Sequence, residues 1–324
     1  MSEPTTALVP PASAATSAML EEVRAGLARP QKELPPKYFY DARGSELFER
    51  ITTLPEYYLT RAERALLERW IPGWIAELRP RTLLELGAGS ASKTRLILDA
   101  MRAAGSAACY APVDVSAEFL AVTAERLRLD YPMLEVRPIV ADIAVDFALP
   151  DALPRPTLYA FLGSTLGNFE RAAAVHLLGA VRAAMHAGDR FLLGVDLRKN
   201  PARLEAAYDD AAGVTAEFNR NVLRMLNREL GADFEVDAFR HHAFYNPAAC
   251  RIEMHLVAER PLWVRIPGVG VIAFRAGESV RTEVSCKYDR AAVEALFDAA
   301  GLRLERWQPD DAGDYALALA ARLP

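Results

Sequence analysis

The sequence predicts an α/β protein: a doubly wound, Rossmann-like sheet joined to a second, α+β segment. Three observations predict it. Apolar strand runs alternate with helix-compatible runs between Thr82 and Val195, the pattern of a parallel sheet with helices on both faces. The first of those strands, Leu83–Leu86, runs straight into Gly87 and Gly89, the strand–glycine turn–helix arrangement that brings backbone N–H groups up to a ligand. After Asn200 the alternation stops; a helical stretch and several short strands follow before one more helix and two more strands.

Residues 1–17 are rich in Pro, Ala, Ser and Thr and read as a disordered tail. A helix is expected from Ala18, broken by Pro35 and Pro36. The next stretch, Lys37–Glu63, carries Tyr38, Tyr40, Tyr57 and Tyr58 in or beside loops. Four such rings are either core filler or the walls of a pocket, each offering a ring face and a hydroxyl. Arg61–Leu78 reads as a helix leading to the glycine turn, and Ser90 and Ser92 mark the start of the helix that follows it. Cys109–Val115 is the second strand, Ala117–Leu129 a helix, and Leu134–Val140 the third strand. Thr157–Leu162 is the fourth, ending in the glycine-rich turn Gly163–Glu170; the helix Arg171–His186 and the strand Arg190–Val195 complete five β/α steps.

Asn200–Leu230 is mostly helical by pattern. Arg240–Tyr245, Arg251–Glu259, Leu262–Ile266 and Val271–Phe274 read as short antiparallel strands, punctuated by Asn246-Pro247, Pro261 and Pro267-Gly268. Arg281–Tyr288 is extended, Ala291–Ala300 is a helix, and Leu302–Trp307 with Tyr315–Ala320 form a final hairpin. The domain reading is therefore discontinuous: 61–199 with 288–324 as one domain, and 18–60 with 200–287 as the other.

Composition narrows the chemistry. The 324 residues are 52% hydrophobic and 25% charged, with net charge −5, ordinary for a soluble globular chain. No basic run offers the concentrated positive face that nucleic acid requires. The 3 cysteines, Cys109, Cys250 and Cys286, are scattered, and the 5 histidines lack metal-ligand spacing, so no metal is expected. With no signal peptide and no bilayer-length apolar run, a cytoplasmic protein with no membrane partner is the expectation. No apolar repeat or coiled-coil pattern stands spare, which favours a monomer.

Candidate site residues come from strand ends. Glu85 lies inside an apolar strand, where a carboxylate must be paired or functional. Asp114 lies 27 residues beyond Gly87, near the spacing at which an acid meets a ribose, although a helix cap would look the same. Asp142 ends the third strand and suits either an adenine amino group or a turn. Asn168 offers both a donor and an acceptor, as an amino acid's amine and carboxylate require, and equally suits a helix start. Glu283 and Ser285, two apart on an extended run, share one face; this is either a solvated edge or a donor–acceptor pair for a planar ring.

The stretches FYDARGSELFERITTLPEYY, LLELGAGSASKTR, FLGSTLGNF, YDDAAGVTAEFNRNVL, RIEM and TEVSCK occur in this order from about Lys37 onward. In these the chain resembles the histidine-specific S-adenosylmethionine (SAM) methyltransferases, whose bacterial members trimethylate L-histidine to hercynine in ergothioneine synthesis. The resemblance implies SAM as cofactor, held by the residues matching the family's contacts: Gly87, Lys93, Asp114 and Asp142, with Glu85 at the strand end. It implies amine and carboxylate contacts at Tyr57, Asn168 and Tyr208, a ring pocket lined by Met254, and an imidazole pair, Glu283 and Ser285. Tyr40 and Tyr57 would orient the amine and pass its protons outward. One departure is Ile143, where some relatives carry Phe beside adenine.

Three rivals stay open at this level. An N-methyltransferase acting on a tryptophan derivative would have little use for the charge of Glu283. An NAD-dependent oxidoreductase needs a third glycine where Ala91 and Ser92 stand, and no terminal hairpin. A non-catalytic SAM-binding regulator has no need to keep Asn168, Tyr208 and Glu283.

Overall fold

The structure, a computed structural model, describes residues 14–89, 93–115, 117–143, 149 and 152–323. The expected tail falls partly outside these residues, as do Ser90 and Ser92 of the glycine loop. Within them the first helix, Ala14–Leu27, begins four residues inside the stretch read as tail. The chain divides into two compact units: one of 1–53, 208–244 and 253–283, the other of 54–207, 245–252 and 284–324.

The larger unit is built on an eight-stranded sheet. Thr82–Leu86 lies at its centre, paired in parallel with Cys109–Asp114 on one side and Thr157–Phe161 on the other. Arg190–Asp196 adds in parallel beyond Thr157–Phe161, and the terminal hairpin, Leu302–Pro309 with Tyr315–Arg322, joins antiparallel to it. All five residues of Thr82–Leu86 and of Thr157–Phe161 are buried, as expected of strands covered on both faces. Leu84, Phe161, Leu178, Phe191, Phe297 and Leu302 belong to the main apolar core.

The expected third strand, Leu134–Val140, is two short pieces: Glu135–Val136 and Ile139–Val140, both parallel to Cys109–Asp114. Pro138 lies between them and has no N–H to donate to a ladder, which divides the pairing. The helix leading to the glycine turn, Leu59–Leu78, continues through Pro72.

Within the larger unit, Gly194 and Gly167 are required by space. At Gly194, in mid-strand, a Cβ would stand 2.1 Å from the Glu63 carboxylate; the bare backbone is what admits the charged side chain. At Gly167 a Cβ would lie 2.9 Å from the Cys286 carbonyl and 3.5 Å from Ser285 Oγ, so the Gly163–Glu170 turn rests directly on the Val284–Cys286 strand end.

The smaller unit has the helices Ala14–Leu27, Ala42–Ile51 and Val214–Leu230. Its four-stranded sheet has the order Lys32–Glu33, Ser279–Cys286, Arg251–Ala258, Phe239–Asn246. Leu262–Ile266 and Gly270–Phe274 pair with each other as a separate antiparallel hairpin. The expected helical stretch from Asn200 is two helices, Pro201–Tyr208 and Val214–Leu230. Asp210 lies between them and accepts from the N–H groups of Val214 at 2.9 Å and Thr215 at 2.7 Å, capping the second helix. Among the described residues no helix is long and apolar enough to cross a membrane.

Gly194→Ala pushes a methyl into a buried carboxylate held by several partners. It should lower unfolding stability by about 2 kcal/mol or more, read from denaturant melts, while Gly179→Ala, where no atom of the described residues lies within 4 Å of the added carbon, should leave stability within about 1 kcal/mol.

Candidate active site

In the larger unit the predicted cofactor residues converge at the carboxyl ends of adjacent parallel strands. Gly87 and Gly89 take φ values of +63° and +49°, conformations that cost a glycine little. The Gly87 N–H donates to the Val113 carbonyl at 2.8 Å, tying the turn to the neighbouring strand. That strand ends in Asp114, whose Oδ2 accepts from the Gly89 N–H at 3.2 Å. The next pairing, Asp114 with Val140, leads directly to Asp142. A Cβ at Gly89 would meet no atom of the described residues within 4 Å. A glycine turn with acids at the two following strand ends is the arrangement in which parallel α/β sheets take up nucleoside cofactors.

Glu85 is buried, and one of its oxygens accepts from both Thr94 Oγ1 at 2.5 Å and Tyr110 Oη at 2.7 Å. These bonds brace the strand against the helix Thr94–Ala103 and the next strand. Burial outweighs them and raises the carboxyl pKa from 4.5 to about 7. The same environment, with Glu85 alongside, raises the Tyr110 phenol well above its ordinary value.

Lys93 pairs with the carboxylate of Glu63. Glu63 was not singled out in the sequence; it is fully buried, and it also accepts from the Gly163 N–H at 2.8 Å and Tyr315 Oη at 2.7 Å. A second ionic cluster was missed as well. Asp196, buried at the end of its strand, accepts from Tyr58 Oη at 2.8 Å and pairs with Lys199 and, at 2.8 Å, with Lys287. Lys287 Nζ in turn donates to Ser285 Oγ at 2.8 Å. The signal for both was available: Glu63 is a carboxylate on an otherwise apolar helix face, Asp196 occupies the same strand-end position as Glu85 and Asp114, and Lys287 closes the TEVSCK stretch.

Of the predicted substrate residues, Tyr57, Asn168 and Ser285 belong to this unit. Tyr57 and Ser285 are buried, and the contact of Gly167 with Ser285 and Cys286 sets the turn carrying Asn168 against Ser285.

The smaller unit holds Tyr40, Tyr208, Met254 and Glu283. Tyr40 is 40% exposed, its ring edge-on to Phe48 and Phe218 at 5.8 Å each. Tyr208 and Met254 are buried and are tied together by a polar network. Asn219 Nδ2 donates to His241 Nδ1 at 2.8 Å, which leaves Nε2–H to donate to the Tyr208 carbonyl, also at 2.8 Å. Asn219 Oδ1 accepts from Thr282 Oγ1 at 2.6 Å, and that hydroxyl also reaches the Met254 carbonyl at 3.1 Å. Burial holds His241 below its ordinary pKa, which keeps it neutral for this arrangement.

The family model described as histidine-specific methyltransferase, SAM-dependent, matches residues 19–322. The chain belongs to this family. It is 46% identical over 308 residues to the histidine N-α-methyltransferase of Mycobacterium tuberculosis, covering 94% of this chain and 95% of that protein. It is 45% identical to the protein of the same name from Mycolicibacterium smegmatis, covering 96% and 97%. The ergothioneine biosynthesis protein 1 of Neurospora crassa is 30% identical over 90% of this chain, which spans 33% of that longer protein. Among solved structures, a SAM-dependent methyltransferase from Clostridium acetobutylicum superposes with TM-score 0.50 at 14% identity, covering 86% of this chain and 99% of that one; this supports the Rossmann-like methyltransferase fold. The family member described here is thus a SAM-dependent methyltransferase.

A carboxyl whose pKa rises on folding holds its proton in the folded state after the unfolded chain has lost it. Stability therefore falls as pH rises from about 4.5 to about 7, then levels off, because the buried anion must form. Glu85 should contribute a loss of about 3 kcal/mol across that window. Denaturant melts of cofactor-free protein at pH 5 and pH 8 should show that loss in the parent chain and largely lose it in Glu85→Gln.

Proposed function

We propose that this enzyme transfers three methyl groups from SAM to the α-amino nitrogen of L-histidine, giving hercynine. The observation that carries this reading is the near-full-length likeness to the two mycobacterial histidine N-α-methyltransferases. The likeness to a relative named ergothioneine biosynthesis protein 1 supports a role in ergothioneine biosynthesis. On this reading the enzyme acts as a cytoplasmic monomer on a free amino acid, with neither nucleic acid nor membrane as partner.

SAM supplies a methyl group made electrophilic by its sulfonium. The chain's task is to hold a neutral amine in line with that carbon. We assign Glu85, Gly87, Lys93, Asp114 and Asp142 to the cofactor side. Asp114 and Asp142 offer carboxylate acceptors, while Glu85 acts through the strand and helix that it braces. Asn168, Tyr57 and Tyr208 grip the amine and carboxylate of the amino acid. Met254 borders the ring. The Glu283 carboxylate accepts an imidazole N–H, and Ser285 meets the other ring nitrogen.

Each round forms one N–C bond, breaks one S–C bond and releases one proton from nitrogen. Tyr40 and Tyr57 stand as the hydroxyls that orient the lone pair and pass that proton to water. Their rings also tolerate the quaternary ammonium that accumulates.

Two measurements test this. Glu283→Ala should weaken histidine binding about tenfold or more, through the loss of a charged hydrogen bond, and leave SAM affinity unchanged by calorimetry. Tyr40→Phe and Tyr57→Phe should each slow single-turnover methylation by about tenfold or more; unchanged rates in both would remove the tyrosines from the proton path. Product mass after incubation with SAM and histidine should show three added methyl groups.

A further inference from the structure

The buried ion cluster at Asp196 has no part in the roles assigned so far, yet it touches a residue that does. Lys287 is fully buried, and its ammonium lies 2.8 Å from Asp196 Oδ2 and 2.8 Å from Ser285 Oγ. Ser285 and Lys287 are two apart on an extended run, so their side chains leave the same face. Asp196 is itself pinned. Tyr58 Oη donates to both of its carboxylate oxygens, at 2.8 and 3.0 Å, and Lys199 pairs with it from the next turn of chain. Its backbone N–H donates to Ser164 Oγ at 2.9 Å. Lys287 thus extends from a rigid anchor.

A serine hydroxyl normally rotates to serve as donor or acceptor as its partner requires. An ammonium has three N–H groups and no acceptor, so the contact with Ser285 runs one way: Lys287 donates, Ser285 accepts. With a lone pair engaged, the hydroxyl proton turns away from Lys287. Lys199 and Lys287 both pair with the Asp196 carboxylate, and the Lys287 ammonium itself stands 2.8 Å from Ser285 Oγ. A protonated ring nitrogen brought to that oxygen would meet like charge at close range.

We infer that Lys287 is a positioning residue that makes Ser285 a hydrogen-bond donor, so that the site accepts the substrate imidazole as one neutral tautomer. The ring N–H then faces the Glu283 carboxylate, and the unprotonated nitrogen accepts from Ser285. This rests on the reading of Ser285 as a ring contact. It adds a determinant that disfavours both imidazolium and rings that offer the Ser285 hydroxyl no acceptor nitrogen.

The test combines a mutant cycle with a direct view of the ring. Lys287→Met should raise the KM for histidine about tenfold with kcat within about threefold, and should add less than about twofold to KM in a Ser285→Ala background. Full additivity of the two changes would overturn the inference, because Lys287 would then act independently of the hydroxyl. An unchanged histidine KM in Ser285→Ala alone would instead remove Ser285 from the ring site and overturn the underlying assignment. Independently of any variant's folding, L-histidine labelled with 15N at both ring positions and bound to the parent enzyme with S-adenosylhomocysteine at pH 6.5 should show one protonated and one unprotonated nitrogen. Two protonated nitrogens, or rapid tautomer averaging, would overturn it.

Discussion

The burial of the Glu63 carboxylate is the constraint on which the larger unit's architecture depends. A charge removed from water is tolerated only when paired and hydrogen-bonded. Here the partners come from four places in the chain: Lys93 after the glycine turn, the Gly163 N–H after the fourth strand, Tyr315 on the last strand, and the gap over Gly194 that lets the side chain in. Satisfying one carboxylate therefore brings the two glycine turns and the terminal hairpin into a single arrangement. The raised phenol pKa of Tyr315 follows from the same burial and keeps it a donor to Glu63. This explains why a helix N-terminal to the sheet carries a charge at a position that packing alone would give to Leu.

The smaller unit uses neutral groups to the same end. Asn219 spends both ends of its amide, donating toward His241 and the His255 carbonyl and accepting from Thr282. The backbone beside Tyr208 and Met254 is held through these contacts. A fully satisfied polar network of this kind specifies one packing, because each member is costly to leave unpaired. Asp41 plays a comparable part at the surface end: it caps the helix Ala42–Ile51 through the Gly44 N–H and binds Asn221 and Arg228 of Val214–Leu230. Residues that look like local caps in the sequence thus also join elements far apart along the chain.

Much of the fold was legible because period and punctuation are local properties. The buried strands show as apolar runs, the turns as glycines at strand ends, and the return to the sheet as a closing hairpin. The errors are local too. A proline divided the third strand, and the first helix began four residues early. The candidate site was legible where acids and glycines stand at strand ends, since topology sends all carboxyl ends of a parallel sheet to one side. Its support was not: Glu63, Asp196 and Lys287 are ordinary charged residues in the sequence.

What the sequence by itself determined is most of the elements, the parallel character of the sheet, the family, and the residue types that can meet a sulfonium cofactor and an amino acid. Tertiary structure alone decided which charges are buried, which oxygen each lysine occupies, and that Lys287 reaches the Ser285 hydroxyl. The physical reason is range. Periodicity and turn chemistry act over a few residues, whereas pairing a buried charge joins groups as far apart in sequence as Glu63 and Tyr315 or Asp196 and Lys287, and only the folded chain brings them within a hydrogen bond.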